Sequence, residues 1–205
     1  MDERRKLLEV LEAARDIGLL GPGPVESHLD HAAAWAGLLG DPPASFLDLG
    51  SGGGVPGLVL ARAWPAAHGV LLDSRSRSVE FLAGAVVSLG LADRIEVVGG
   101  RAEAEGRDAR LREAFPLVVA RGFAAPAVTA ECASAFLGVG GRLSVSEPPG
   151  GDPGRWPGDG LARLGLAPAE TLRVEEASFV VIEKVQPLED RWPRRVGRPG
   201  HRPIW

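Results

Sequence analysis

From residue 45 to residue 147 short apolar runs take turns with helix-like segments, and this alternation constrains the fold more than any other feature. The apolar runs are SFLDLG (45–50), AHGVLLD (67–73), DRIEVVGG (93–100), PLVVAR (116–121) and GGRLSVSE (140–147). Between them lie GLVLARAWP, SRSVEFLAGAVVSLG, the charged EAEGRDARLREAF and APAVTAECASAFLG. Strands that alternate with helices predict a parallel sheet covered on both faces. Two further runs, AETLRVEE and SFVVIEKV, are separated by so little that they predict antiparallel pairing at one edge. The expected architecture is therefore α/β, with a seven-stranded, mostly parallel sheet. Ahead of it, Leu7, Leu8, Leu11, Ala14 and Ile17 recur at helical spacing, and a second helix is expected from Pro24 to about Leu39. The breaker GLLGPGP separates the two. This divides the chain into a helical lead-in (1–44), a main domain (45–186) and a tail (187–205).

The chain has 205 residues, 45% hydrophobic and 24% charged, a balance ordinary for one globular domain. Its single cysteine, Cys132, excludes an internal disulfide and a multi-cysteine zinc site, and no metal is expected. No apolar run approaches the roughly 20 residues that span a bilayer. The N-terminus MDERRKLLEVLEAARD is too charged for a signal peptide, so the expected location is the cytoplasm. Charge is unevenly placed. Arg191 to Trp205 carries five arginines and no acid, +5 in a chain whose net charge is −4, which leaves −9 for the remainder. Such a tail is either a solvated appendage or an arm that contacts phosphates.

The loop after the first strand, DLGSGGGVPG (48–57), holds five glycines in ten residues. Glycine loses the most backbone freedom on folding, so this density implies close passage of backbone past a ligand. Gly52, Gly54 and Gly57 satisfy the G-x-G-x-x-G spacing of dinucleotide folds, but Pro56 has no N–H to offer a pyrophosphate. A P-loop would need a lysine, and the chain has only Lys6 and Lys184. The other register, Asp48 with Gly50, Gly52 and Gly54, reads D-x-G-x-G-x-G, with Asp73 ending the second strand. That pattern resembles the S-adenosylmethionine (AdoMet) site of class I, Rossmann-like methyltransferases. In that reading Asp48 serves the ammonium of the methionyl part. Asp73 accepts both ribose hydroxyls, since a carboxylate offers two acceptor oxygens. The alternative for Asp73 is capping the helix that follows it.

Four segments narrow the resemblance: LDLGSGGGVPGLVLA, LLDSRSRSVEFL, GRAEAEG and VVARGFAAP occur in this order. With GLLGP, SHLDHA and the terminal WPRRVGRPGHRPI, they resemble the RsmG (GidB) family of 16S ribosomal RNA methyltransferases over nearly the whole chain. The resemblance implies AdoMet as cofactor and N7 of a guanosine in 16S rRNA as acceptor. The partner would be that rRNA or the 30S subunit, with no membrane partner and a monomeric enzyme. It implies cofactor contacts from Asp48, Gly50, Gly52, Gly54, Val55, Asp73, Ala102, Glu103 and Arg121. It places Arg121 at the mouth of the site as the candidate catalytic residue. His28, His31 and the tail arginines become candidate RNA contacts. One departure stands out: family members usually carry a lysine just after the fifth strand, where this chain has Glu147. That departure and the acidic body favour one alternative, a diverged small-molecule methyltransferase; a second alternative is a non-catalytic AdoMet- or RNA-binding protein.

The chemistry agrees with the absence of an obvious catalytic dyad. Guanine N7 has an in-plane lone pair and no proton, so the protein needs to align groups and exclude water rather than supply a base. Amino methylation would call for [DNS]-P-P-[FYW] after the fourth strand, where ARGFAAP stands instead. Carbon-5 methylation would need a cysteine nucleophile, and Cys132 lies within an apolar helix.

Overall fold

A computed structural model describes residues 3–148, 152–174 and 177–205. Parts of the expected Pro- and Gly-rich loop (149–151) and of the turn between the last two strands (175–176) lie outside the described residues. Two helices lead, α1 (Glu3–Asp16) and α2 (Val25–Leu38). The alternation follows: β1 (Ser45–Leu49), α3 (Gly57–Ala63), β2 (His68–Asp73), α4 (Ser76–Ser88), β3 (Ile95–Gly99), α5 (Ala102–Glu105), β4 (Phe115–Arg121), α6 (Pro126–Ser134) and β5 (Leu137–Glu147). A short 3-10 turn (Pro153–Arg155), α7 (Gly158–Ala162), β6 (Glu170–Val174), β7 (Ala177–Glu183) and α8 (Arg198–His201) complete the order.

The seven strands form one sheet in the order β3-β2-β1-β4-β5-β7-β6. Strands β1 to β5 are mutually parallel, and β7 runs antiparallel between β5 and β6. Side chains alternate between the two faces, as strand geometry requires. Phe46, Leu71, Leu117 and Val119 join the core under α1 to α4. Leu47, Leu49, Leu72, Val118 and Ala120 join the core with α6 and α7. Trp35 fixes α2 to the sheet, its ring 4.9 Å from that of Phe179 and its indole N–H donating to Ser144 Oγ at 2.7 Å.

Two sequence expectations are refined. EAEGRDARLREAF forms helix only to Glu105. Beyond it Asp108 accepts the Arg110 N–H at 2.8 Å, and Arg112 donates to the carbonyls of Gly106 and Trp192. Glu113 adopts a φ of +50°, so the segment turns where charge alone suggested helix. Strand β5 starts three residues early, because Leu137 pairs with Phe115 before the register shifts to Leu117 with Arg142.

The tail is neither a free appendage nor an extended arm, because it folds back on the body. Trp192 is buried, with Arg163, Arg191 and Arg194 placed over its ring. Arg107 donates to the carbonyls of Asp190, Arg191 and Pro193. Arg194 grips the fully buried Glu131 carboxylate of α6. No described helix is long and apolar enough to cross a membrane.

Candidate active site

Chain order reverses between β1 and β4, and ligands of open parallel sheets bind at such a point, beyond the carboxyl ends of the strands. A cavity of about 560 Å³ lies there. Its wall includes Gly50 after β1, Asp73 at the end of β2, Arg101 to Glu103 after β3, and Gly122 to Ala125 after β4. Val128 and Cys132 of α6 and Gly200 of the tail close it.

The glycine loop is shaped to keep its backbone at this wall. The N–H groups of Gly50 and Ser51 both donate to the Leu72 carbonyl, at 2.8 and 3.0 Å. Gly50 has φ +78°, and a Cβ there would lie 2.6 Å from Phe123 Cδ2. Gly54 has φ +93°, and a Cβ there would sit inside the Leu58 side chain. Both positions thus exclude other residues by conformation and by space. Gly52 donates its N–H to Asp73 Oδ2 at 2.8 Å, while Asp73 Oδ1 accepts the Arg75 N–H at 2.9 Å. Asp73 therefore ties the loop to β2. It does not cap α4, whose N-terminal cap residue is Arg75.

Asp48 and Arg121 lie on the same face of the strands as Asp73, the face of Phe46, Leu71 and Val119. Asp48 Oδ2 accepts the Gly57 N–H at 2.9 Å, and its buried Oδ1 has no partner among the described residues. Burial pushes its carboxyl up to about 7 against that hydrogen bond, and the charge of Asp73 adds to the rise. Arg121 follows Leu117 and Val119 by strand alternation, which turns its side chain toward α2. It meets His28 there, Nη2 to Nδ1 at 2.5 Å, and its buried Nη1 has no partner among the described residues. Burial lowers its pKa, and Asp48 opposes the fall. Since His28 Nδ1 faces a guanidinium and Nε2 faces the Gly21 carbonyl at 3.2 Å, the ring must accept at Nδ1 and donate at Nε2. His31 reaches Ser146 Oγ at 2.9 Å, and burial, then the charges of Arg121 and His28, hold its pKa below the ordinary value. His28 is buried and His31 only partly so, and each ring has a partner within the protein.

Of the nine site residues expected from sequence, Gly50, Asp73, Ala102 and Glu103 line the cavity. Gly52, Gly54, Val55 and Asp48 shape the loop beside that wall, and Arg121 meets His28 of α2 with one guanidinium nitrogen while the other keeps no partner among the described residues. Glu103 is committed inside the protein: its Oε1 accepts the Gly197 N–H at 2.9 Å and an Arg101 N–H at 3.1 Å. Burial would raise its carboxyl, but these hydrogen bonds hold it below the usual range. Phe123, Val128, Cys132 and Gly200 were not anticipated as wall residues. Phe123 was visible as the aromatic beside Arg121; nothing in the tail marked Gly200. Burial, then the charges of Glu103 and Glu131, push the Cys132 thiol up, so it is no nucleophile.

A second cavity, about 330 Å³, lies beside the first and shares Gly122, Phe123 and Ala124 with it. Ser146, Glu147, Arg155 and Trp156 line its far side. The Glu147 carboxylate is buried, ion-paired with Arg155, and accepts the Trp156 indole N–H at 3.3 Å.

The Asp48 carboxyl gives a pH test. Its folded pKa lies above the unfolded value of 3.8, so between about pH 4 and 7 the folded state holds the extra proton. The contribution of Asp48 to stability is greatest below that window and falls as pH rises through it. Asp48→Asn is expected to abolish this fall, read as urea midpoints that stay level from pH 4 to 7 while those of the unaltered protein decline.

Comparisons with known proteins agree with this geometry. Residues 23–146 match the GidB family model, rRNA small subunit methyltransferase G. Ribosomal RNA small subunit methyltransferase G of Moorella thermoacetica is 35% identical over 86% of this chain and 76% of its own. The protein of that name from Rubrobacter xylanophilus is 34% identical over 100% of this chain and 82% of its own. Among solved structures, an O-methyltransferase from Bacillus cereus, in complex with SAH, superposes with a TM-score of 0.62. It covers 89% of this chain and 91% of its own at 17% identity, and so attests the fold alone. A family match that spans both sides of the cavity, with relatives a third identical along most of their length, makes this chain a member of the rRNA small subunit methyltransferase G family.

Proposed function

We propose that this chain transfers the methyl group of AdoMet to N7 of a guanosine in 16S rRNA, acting in the cytoplasm as a monomer on the 30S subunit or its rRNA. The observation that carries the reading is the overlap of two stretches: the family match covers every wall residue of the larger cavity except Gly200.

The residues present fit the cofactor. AdoMet brings an ammonium, a carboxylate and an adenosine, and when bound it supplies an electrophilic methyl on sulfonium. Asp48 has a buried acceptor without a partner, and Arg121 a buried donor without one. These are complementary to an ammonium and a carboxylate. Gly50, Gly52, Gly54 and Val55 keep the loop backbone open toward the methionyl part. Asp73 keeps its bonds to the Gly52 and Arg75 N–H groups and accepts the ribose hydroxyls in place of the long contacts, 3.4 and 3.5 Å, that the exposed Arg75 guanidinium makes to its two oxygens. Ala102 and Glu103 border adenine. Arg121 acts on the cofactor's carboxylate and, through His28, holds α2 to the site. The exposed Arg195 and Arg202 of the tail contribute to the RNA-facing charge.

Asp73→Ala is expected to weaken AdoMet binding by about 1–3 kcal/mol, as for loss of a charged hydrogen-bond acceptor. Calorimetric titration with AdoMet checks it, and unchanged affinity removes Asp73 from the ribose assignment. The function is tested by mass mapping of 16S rRNA from cells with and without the gene. One 7-methylguanosine should vanish with the gene, and an unchanged map overturns the proposal.

A further inference from the structure

The smaller cavity has three properties that bear on what it could hold. It opens next to the larger one across Gly122, Phe123 and Ala124, so two ligands seated side by side would meet there. It is flanked by two aromatic residues, Phe123 and Trp156. It also holds a buried carboxylate, Glu147, whose two oxygens are pinned from one side, Oε2 by Arg155 and Oε1 by the Trp156 indole. A carboxylate has about four lone-pair sites, so two remain for a ligand. Such a group accepts hydrogen bonds and, when ionised, donates none.

We propose that this cavity receives the acceptor base and that Glu147 selects guanine by accepting hydrogen bonds from its N1–H and its N2 amino group. The proposal rests on the guanosine-N7 reading and names the residue that chooses the base.

The chemistry of the purines supports the assignment. Guanine presents two adjacent donors on its Watson–Crick edge, the pattern that one carboxylate accepts. Adenine presents an acceptor, N1, at the same place, where it would face the lone pairs of Glu147. N7 lies across the ring system from N1 and N2, so a guanine held at Glu147 on the far wall turns N7 toward the shared wall and the larger cavity. An extruded base is commonly read in this way, by its Watson–Crick edge and by aromatic side chains. Arg155 and Trp156 act as positioning residues that fix the carboxylate. A lysine at this position could not fill the role, because an ammonium offers donors only.

The test uses the full-length protein and three probes: guanosine, inosine and adenosine 5′-monophosphates, with binding read by saturation-transfer NMR in the absence of cofactor. Inosine lacks only the N2 amino group. The unaltered protein should bind the guanosine nucleotide roughly 10-fold or more tightly than the inosine one, the usual scale for one hydrogen bond to a charged group. The adenosine nucleotide should bind weakest. Glu147→Gln, which replaces one acceptor with a donor, should erase the preference for guanosine over inosine. Equal binding of the guanosine and inosine nucleotides, no binding at millimolar nucleotide, or an undiminished preference in a folded Glu147→Gln protein each overturns the proposal. Should that variant not fold, the ranking by the unaltered protein decides alone. The mapping of 16S rRNA fails separately: an unchanged map refutes the reaction, whereas nucleotide ranking reports only the pocket.

Discussion

Arg194→Ala is expected to lower the unfolding free energy by about 3–5 kcal/mol, the range for removing one partner of a buried ion pair. Glu131 is fully buried in α6, and Arg194 encloses its carboxylate. The Arg194 backbone N–H reaches Oε1 at 2.8 Å, and its guanidinium reaches both oxygens, Nε to Oε1 at 2.9 Å and Nη2 to Oε2 at 2.5 Å. Alanine keeps the backbone bond and leaves the carboxylate otherwise uncompensated. Urea denaturation at neutral pH measures the loss. A companion double variant, Glu131→Leu with Arg194→Met, should recover most of it, because the charge and its partner leave together. Arg194→Lys should recover only a part, since an ammonium lacks the planar fork. A single-variant loss below about 1 kcal/mol would mean that the tail is not anchored here.

Trp35→Ala should cost a similar amount, about 3–5 kcal/mol, for a different reason. The side chain is wholly buried between α2 and the sheet, and its ring packs on Phe179. Alanine leaves a cavity that the parallel core cannot collapse into, and it strands the buried Ser144 hydroxyl, which now accepts the indole N–H. Trp35→Phe separates the two contributions: it keeps most of the volume and should cost about 1–3 kcal/mol for the unpaired hydroxyl and the lost hydrogen bond. The same denaturation series distinguishes them, and a neutral Trp35→Phe would assign the whole effect to packing.

Most of the architecture was legible because its signals are local. Each apolar run from SFLDLG to GGRLSVSE became a strand, and both leading helices formed where apolar spacing placed them. The loop was legible for the same reason, since positive φ at Gly50, Gly52 and Gly54 is a property of the residues themselves. What sequence did not convey was which face a polar side chain takes and what it meets there. Arg121 follows the strand's alternation to His28, a partner 93 positions away. Glu103 lines the cavity and also holds Gly197. Lys184 is fully buried, donating to the Ser134 carbonyl at 2.8 Å. The tail looked separable because its arginines are dense. Of its anchors, Glu131 is a single acid within an apolar helix, and nothing local to Glu103 ties it to a segment 94 positions away.

The wall shared by Gly50 and Gly200 has a consequence in time. These residues stand 150 positions apart, yet both border the larger cavity. Closing so long a loop is entropically costly and comes late relative to local contacts. The central strands can assemble around the glycine loop early, but the cavity gains its last side only when the distant segment docks through Glu103 and Glu131. The larger cavity is therefore complete only when segments 150 positions apart are both in place.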